Sequence, residues 1–359
     1  MICPIEPKKV FFSRFKFSRD IGIDLGTANT LIYVSGKGIV LQEPSVVAID
    51  VEEGVPLAVG DDAKLMLGRT PGNIRAVRPL RDGVIADFDA AEQMLKSFIQ
   101  KCNQGRGIIS PRLVVGIPSG VTGVERRAVR EAGMAGAREV LLIDEPVAAA
   151  IGASLPVTEP IGTMIVDIGG GTTEVAVLSL GGTVLSESVR VAGDEINDSI
   201  ATYLKKVHNL VVGERTAEEI KIRIGSAFPD DNHDMQSIDV RGLHLLSGLP
   251  RSINLQGGDL REAMSEPLNK IVEAVKRTLE RTPPELAADI ADRGIMLAGG
   301  GALVKGISDL VSHETGIFTH VADDPLLCVV NGCGQVLEDF KSLRRVLDTP
   351  EFARNAVKD

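Results

Sequence analysis

The sequence predicts an α/β protein built from two related lobes, and three observations support this. First, two distant segments share one design, in which an apolar run typical of a buried strand ends in an Asp followed by small residues; they span Ile21 to Thr27 and Met164 to Thr172. Second, a hairpin pattern follows each segment. Third, the rest of the chain alternates short apolar runs with helical patterns, which is typical of a sheet covered by helices. A duplicated core accounts for all three.

Glycines mark both predicted hairpins. Short strands run between Thr30 and Asp50, with Gly36 and Gly38 at a turn, and Gly181-Gly182 divides the β-rich stretch 175–191. Each half is therefore expected to open with a strand, a loop and a hairpin.

Further elements follow each hairpin. Residues 113–117 and 140–143 are predicted as buried strands, with a helix over 125–137 between them. Asp194 is placed to cap a second helix, whose apolar residues recur at helical spacing. These residues are Ile196, Ile200, Tyr203, Leu204 and Val207.

Two stretches look inserted into the halves. We predict that residues 37–75 and 193–257 form small outer subdomains. The core of the first lobe would then comprise residues 1–36, 76–155 and 325–359, and that of the second lobe residues 156–192 and 258–324.

The two Asp-containing loops predict a polyphosphate site. Glycines let successive amide N–H groups face an anion, and each Asp can hold a hydrated Mg²⁺ beside it. A third glycine cluster, Leu297 to Leu303, also follows an apolar run and could seat a nucleoside. One such turn alone is usually only a turn, but three in order favour a ligand. The chain has no G-x-x-x-x-G-K-[ST] and no strand-embedded G-x-G-x-x-G, so neither a P-loop nor a dinucleotide site competes.

Composition excludes several other classes. The chain has 359 residues, 44% of them apolar and 25% charged, which is typical of globular proteins with two domains. Its net charge of −10 argues against a nucleic-acid surface. The four cysteines show no paired spacing, which favours a reducing compartment, and no apolar run approaches the ~18 residues of a membrane span. The N-terminus lacks a signal-peptide core, so we expect a cytoplasmic protein.

The three glycine segments resemble the phosphate-1, phosphate-2 and adenosine motifs of the superfamily of actin, sugar kinases and heat-shock ATPases. Four stretches narrow the resemblance to the MreB family of bacterial actins, from about Ser18 to about Leu347. They are residues 20–50, 143–153, 167–182 and 213–227. The resemblance implies an actin-like ATPase fold, with two duplicated lobes of mixed sheets flanked by helices, an inserted subdomain in each, and nucleotide in the interlobe cleft.

The resemblance also implies roles for individual residues. Asp24 and Asp167 would hold Mg²⁺ largely through water, and Glu145 and Thr172 would activate and orient the attacking water. Glu145 could instead be a helix-start carboxylate before Pro146. The nucleotide-binding residues would be Gly26, Thr27, Ala28, Asn29, Gly169, Gly170, Gly171, Glu218, Lys221, Gly299, Gly300, Gly301 and Ala302.

The roles of Glu218 and Lys221 have a plain alternative. The resemblance assigns Glu218 to the ribose and Lys221 to the adenine. One helical turn apart, the two could equally form a surface ion pair.

Two segments predict contact with a membrane surface. The N-terminus mixes cations with Phe11, Phe12 and Phe15, which suits the headgroups of an anionic leaflet, although a transit peptide or a disordered tail remains an alternative. Ile108 and Ile109 match the apolar loop by which proteins of the resembled family touch lipid. They could equally be core residues.

The resemblance implies a cytoplasmic, peripherally membrane-associated protein that binds ATP and Mg²⁺, polymerises with itself and hydrolyses ATP slowly. It would scaffold lateral wall synthesis together with cell-wall elongation proteins and maintain rod shape, without a nucleic-acid partner. A small-molecule kinase remains an alternative, although no sugar-binding Asp base is evident. A chaperone-type ATPase would carry a further peptide-binding domain. A division or plasmid-segregation actin is the nearest rival.

Overall fold

The computed structural model describes residues 19–103 and 110–347. The strands in chain order are β1 (Ile21–Leu25), β2 (Asn29–Val34), β3 (Gly38–Pro44), β4 (Val47–Asp50), β5 (Pro56–Val59), β6 (Ile74–Val77), β7 (Leu80–Arg81), β8 (Val84–Ile85), β9 (Arg112–Ile117), β10 (Glu139–Asp144), β11 (Thr163–Ile168), β12 (Thr173–Ser179), β13 (Gly182–Val189), β14 (Leu210–Val211), β15 (Ser237–His244), β16 (Pro250–Gln256), β17 (Ile295–Ala298) and β18 (Thr319–Val321).

The helices lie between and after these strands. They are α1 (Asp61–Met66), α2 (Phe88–Asn103), α3 (Gly123–Met134), α4 (Glu145–Gly152), α5 (Gly193–His208), α6 (Glu214–Ile224), α7 (Asp231–Asp234), α8 (Gly257–Arg281), α9 (Pro284–Arg293), α10 (Ile307–Thr315), α11 (Cys328–Glu338) and α12 (Phe340–Leu343), with 3₁₀ turns at Gly300–Leu303, Pro325–Leu327 and Arg344–Val346.

Two five-stranded sheets with the same topology form the cores of two lobes. The first lobe has the strand order β10-β9-β1-β2-β3, and the second has β13-β12-β11-β17-β18. In the first, β1 pairs antiparallel with β2 and parallel with β9. In the second, β11 likewise pairs antiparallel with β12 and parallel with β17. This repeat confirms the prediction of an α/β protein with two duplicated lobes of mixed sheets.

Each lobe carries a small three-stranded sheet. The first, in the order β5-β4-β6, packs on α1, and the second, in the order β14-β15-β16, packs on α5 and α6. The first small sheet begins at Val47, whereas we predicted an insert from residue 37. The reason is that β3 completes the hairpin with β2 and so belongs to the large sheet.

Two local predictions differ from the structure. Asp194 lies within the first turn of α5 and makes no capping bond, because the helix begins at Gly193. The helix predicted over 125–137 begins at Gly123 instead, where Thr122 and Glu125 form a reciprocal capping box.

The turn between β12 and β13 has positive φ at Leu180 and Gly181, as a tight hairpin turn requires.

Helices α4 and α11 cross between the two large sheets. They share one buried cluster with side chains from both lobes, such as Val114 of β9 and Ile165 of β11. The backbones nearly touch, because a Cβ on Gly152 would overlap the carbonyl oxygen of Cys328, and one on Gly332 would overlap that of Ala148. Only glycine fits these two positions.

Candidate functional site

A cavity of about 390 Å³ lies between the lobes, where the loops after β1 and β11 face each other. Its volume suits a small-molecule ligand. Ala302 is buried behind the lining and does not face the cavity. The other predicted metal, catalytic and nucleotide residues line it: Asp24, Gly26, Thr27, Ala28, Asn29, Glu145, Asp167, Gly169, Gly170, Gly171, Thr172, Glu218, Lys221, Gly299, Gly300 and Gly301.

The two loops approach so closely that side chains are excluded between them. A Cβ built on Gly170 would lie 2.8 Å from the Cβ of Ala28, and one on Gly171 would lie 2.9 Å from Oγ1 of Thr27. Real Cβ atoms essentially never come this close to another heavy atom. The glycines therefore allow the backbones of the two lobes to meet at one point.

Helix α5 fixes the second loop. The amides of Gly193 and Asp194 donate to the carbonyl oxygens of Gly169 and Gly170, at 3.1 and 2.8 Å. These bonds satisfy the start of the helix, whose first amides otherwise lack acceptors. Within the described ranges, the amides of Gly170 and Gly171 have no acceptor. They remain available to an anionic ligand.

Three carboxyl groups line the cavity: Asp167 and Glu145 are buried and Asp24 is half-buried, and removal from water raises the pKa of each. The pKa of Asp24 is raised to about 7 by burial, and that of Asp167 to about 8 by burial and then by the charges of Asp24 and Glu174. Burial, followed by four neighbouring acids, raises the pKa of Glu145 well above its usual value. No cation of the described residues pairs with Asp24 or Asp167. A bound cation would therefore stabilise the ionised form of both carboxyl groups.

Glu145 is the first residue of α4, as the helix-start alternative requires. Its side chain is nevertheless only 8% exposed and lies in the cavity. Gly116 of β9 lies beside it, where a Cβ would be in ordinary contact with Cγ of Glu145 at 3.5 Å but would crowd Cγ1 of Val329 at 3.0 Å. The carboxyl group is thus held among other acids, which a helix start alone does not explain.

Helix α6 supplies the opposite wall. Nζ of Lys221 donates to the carbonyl oxygen of Gly193 at 3.0 Å, and burial lowers the pKa of this lysine. Glu218 does not pair with Lys221. Its Oε2 lies 3.3 Å from Nζ of Lys64 in the small sheet's helix α1, across the cleft. The simple ion pair between Glu218 and Lys221 is therefore absent from the described structure.

Glycine conformation shapes the wall formed after β17. Gly299 has a φ of 79°, and a Cβ there would overlap Oδ1 of Asp167. Gly300 and Gly301 begin the following 3₁₀ turn. This wall lies directly against the second Asp-containing loop.

Several lining residues escaped the sequence analysis. Gly83 stands in the turn between β7 and β8, where both Asp82 and Gly83 have positive φ. The Asp-Gly pair is a hairpin signal that could have located this turn. The amide of Gly83 donates to Oγ1 of Thr27 at 3.0 Å. Asn197, His233 and Lys305 also line the cavity, and no local pattern marks them; Asp194, which we predicted only as a helix cap, lines it as well.

The remaining predicted residues lie outside the described ranges. They are Phe11, Phe12, Phe15, Ile108 and Ile109. Of the helices in residues 19–103 and 110–347, none is long and apolar enough to cross a membrane.

Comparison with known proteins identifies the family. The family model described as MreB/Mbl protein matches residues 18–345. The chain is 56% identical over 331 residues to the cell shape-determining protein MreB of Escherichia coli (strain K12), covering 90% of this chain and 95% of that protein. It is 51% identical over 329 residues to the cell shape-determining protein Mbl of Bacillus subtilis (strain 168), covering 91% and 98%.

Solved structures share the fold. MreB5 of Spiroplasma citri bound to ADP matches with a TM-score of 0.85 and 38% identity, over 91% of this chain and 98% of that one. The same protein bound to AMPPNP gives a TM-score of 0.86. MamK in a double helical filament, at 21% identity and a TM-score of 0.76, shares the fold. The predicted actin-like fold is confirmed, and the chain belongs to the MreB/Mbl family.

Proposed function

We propose that this protein binds ATP with Mg²⁺ in the interlobe cavity, polymerises, and hydrolyses ATP slowly. The observation that carries this proposal is the meeting of two Asp-containing glycine loops at one cavity. A relative at 38% identity is solved with ADP and with AMPPNP, which supports the same ligand class here.

The residues present fit a magnesium ion. Asp167 is buried and Asp24 is half-buried, and neither pairs with a cation of the described residues. No set of three or more His, Cys, Asp or Glu side chains within the described ranges could chelate a metal. Two carboxylates with water and phosphate oxygens suit Mg²⁺, which keeps much of its hydration shell. When bound, the ion would neutralise charge on the phosphates.

The chain's own groups divide the remaining work. The amides of Gly170 and Gly171 would bind the γ-phosphate, and those of Thr27 and Ala28 the β-phosphate side. Glu145 would position or deprotonate the attacking water, with Thr172 orienting it. Lys221 and Glu218 would face the adenine and the ribose.

The cellular role follows from the named relatives. Proteins 56% and 51% identical are cell shape-determining proteins. We propose that this chain likewise forms filaments at the cytoplasmic face of the membrane, where they scaffold lateral wall synthesis with cell-wall elongation proteins. Phe11, Phe12, Phe15, Ile108 and Ile109 would contact lipid, a proposal that rests on the sequence.

Affinity for Mg²⁺-nucleotide should rise as the pH increases from 6 to 8.5. The pKa values of about 7 and 8 mean that Asp24 and Asp167 are largely protonated at pH 6, so that a cation must displace their protons. For the empty protein the sign is opposite: both pKa values exceed those of the unfolded chain, so these groups make its free energy of unfolding fall over the same pH range. Calorimetric titration with and without Mg²⁺ measures the first effect.

Asp167→Asn is the matched control for this pH dependence. The amide cannot ionise, so the variant should bind Mg²⁺-nucleotide weakly and with a shallower pH dependence. Unchanged affinity and unchanged slope would show that Asp167 does not hold the metal.

Polymerisation should appear in a pelleting assay with ATP above a threshold concentration. Repeated head-to-tail contacts that do not close into a ring produce filaments. Adding anionic liposomes tests the membrane contact, because many weak sites on one filament raise avidity by ~10²–10⁴. The controls are a deletion of residues 1–17 and Ile108→Ser with Ile109→Ser. A chain that stays monomeric with nucleotide, on lipid and off it, would contradict the proposal.

A further inference from the structure

Glu174 is a buried carboxylate that the proposed chemistry does not use. It lies on β12 directly opposite Asp167 of β11, is 1% exposed, and does not line the cavity. Burying an ionisable group is costly unless hydrogen bonds compensate. Three donors do so here: the amide of Ser119 at 3.1 Å, the hydroxyl of Ser119 at 2.5 Å and the hydroxyl of Ser188 at 2.5 Å.

These donors come from both lobes. Ser188 is the partner of Glu174 in the β12–β13 pairing, so that bond lies within the second lobe. Ser119 follows β9 and belongs to the first lobe. The two segments are tightly packed, since a Cβ on Gly120 would lie 3.0 Å from the Cβ of Ser188. Glu174 is therefore a direct connection between the lobes.

The Ser119 segment also forms the first-lobe wall next to Thr172. A Cβ on Gly83 would lie 2.6 Å from Cγ of Pro118 and 3.0 Å from Cγ2 of Thr172. The Gly83 amide in turn donates to Oγ1 of Thr27. The contacts thus run from Glu174 through Ser119 and Pro118 to Gly83. They end at Thr27 in the loop after β1 (the first phosphate loop) and at Thr172 in the loop after β11 (the second).

We propose that Glu174 is a positioning residue, which ties the Ser119 segment of the first lobe to β12 and so fixes the distance between Thr172 and the first phosphate loop. This inference deepens the proposed ATPase function and rests on it. Ser119 donates to Oε2 of Glu174 through both its amide and its hydroxyl, and two donors on one carboxyl oxygen can hold the segment in distance and direction. A change in this distance should affect the rate of hydrolysis more than the affinity for nucleotide, because misplacing a group that orients the reactants by about 1 Å can lower the rate by ~10²-fold.

The two serines provide a matched test. Ser119→Ala and Ser188→Ala each remove one hydroxyl donor at 2.5 Å from the same carboxylate, but only the first removes a bond between the lobes. Ser119→Ala should lower phosphate release at saturating ATP about tenfold, with nucleotide affinity within about twofold of wild type. Ser188→Ala should lower thermal stability about as much as Ser119→Ala does, but it should keep turnover within about twofold of wild type.

Glu174→Gln tests whether hydrogen bonding or charge matters. The amide can still accept from Ser119 and donate to a serine oxygen, so turnover should stay within about threefold of wild type, whereas Glu174→Ala should resemble or exceed Ser119→Ala. Equal loss in the two serine variants, or wild-type turnover in Ser119→Ala, would overturn the inference while leaving the ATPase proposal intact. No phosphate release from the wild-type protein would overturn both.

Discussion

Replacing Glu145 by Ala should slow ATP hydrolysis by ~10²–10⁴-fold while nucleotide still binds. The side chain is buried in the cavity and its pKa is raised well above the usual range by burial, then by Asp24 and Asp167. A carboxyl group with a raised pKa is a stronger base once it loses its proton, which suits water activation near neutral pH. Single-turnover phosphate release and binding of a fluorescent nucleotide would measure the two effects separately.

Glu145→Gln separates the possible roles of this side chain. The amide keeps the size and can orient water, but it cannot accept a proton. A rate as low as that of the Ala variant would identify proton transfer as the main contribution, and a nearly normal rate would identify orientation. Full turnover in Glu145→Ala would leave Glu145 as a residue that only begins helix α4.

Adding one methyl group at the α4–α11 crossing should destabilise the fold strongly. In Gly152→Ala and Gly332→Ala the new Cβ would overlap a backbone carbonyl oxygen, of Cys328 and Ala148 respectively. Backbone cannot rotate away as a flexible side chain can, so the helices must separate. We expect each variant to lose about 3 kcal/mol or more in free energy of unfolding, at or above the usual range for overpacked cores.

Gly123→Ala is the matched control for this effect. Gly123 is also a helical glycine, but it is exposed and a Cβ there would meet nothing within 4 Å. Its variant should be as stable as wild type or slightly more so, because Ala restricts the unfolded chain. Chemical denaturation of the three variants would measure the differences. Normal stability in Gly152→Ala and Gly332→Ala would mean that the two helices lie further apart than described.

The fold was predictable because its signals are local and repeated. Each lobe contains one strand-loop segment, with Asp24 in the first lobe and Asp167 in the second. The hairpin that follows each segment carries a glycine at its turn. The extent of the first small subdomain was not predictable in the same way. Whether the strand Gly38–Pro44 joins the large sheet depends on its pairing with β2, and an edge strand reads alike in either sheet.

The site was predictable where a loop carries its own chemistry. Glycine clusters and buried Asp residues marked most of the cavity, and the family resemblance supplied Glu145, Thr172 and Lys221. Tertiary placement alone brings in Asn197, His233 and Lys305, which lie on helices or turns without a motif. The partner of Glu218 was likewise unpredictable, because Lys64 lies in a different lobe and far away in the chain.

The close crossing of α4 and α11 also determines how the lobes can move. Within the described residues, the chain passes from one lobe to the other only twice, between α4 and β11 and between β18 and α11. Both passages involve the same crossing, where glycines let the two helix backbones meet closely. We therefore expect any rotation between the lobes to be centred on this crossing. Such a rotation would move the Lys64–Glu218 contact, which joins helix α1 of the first lobe to helix α6 of the second.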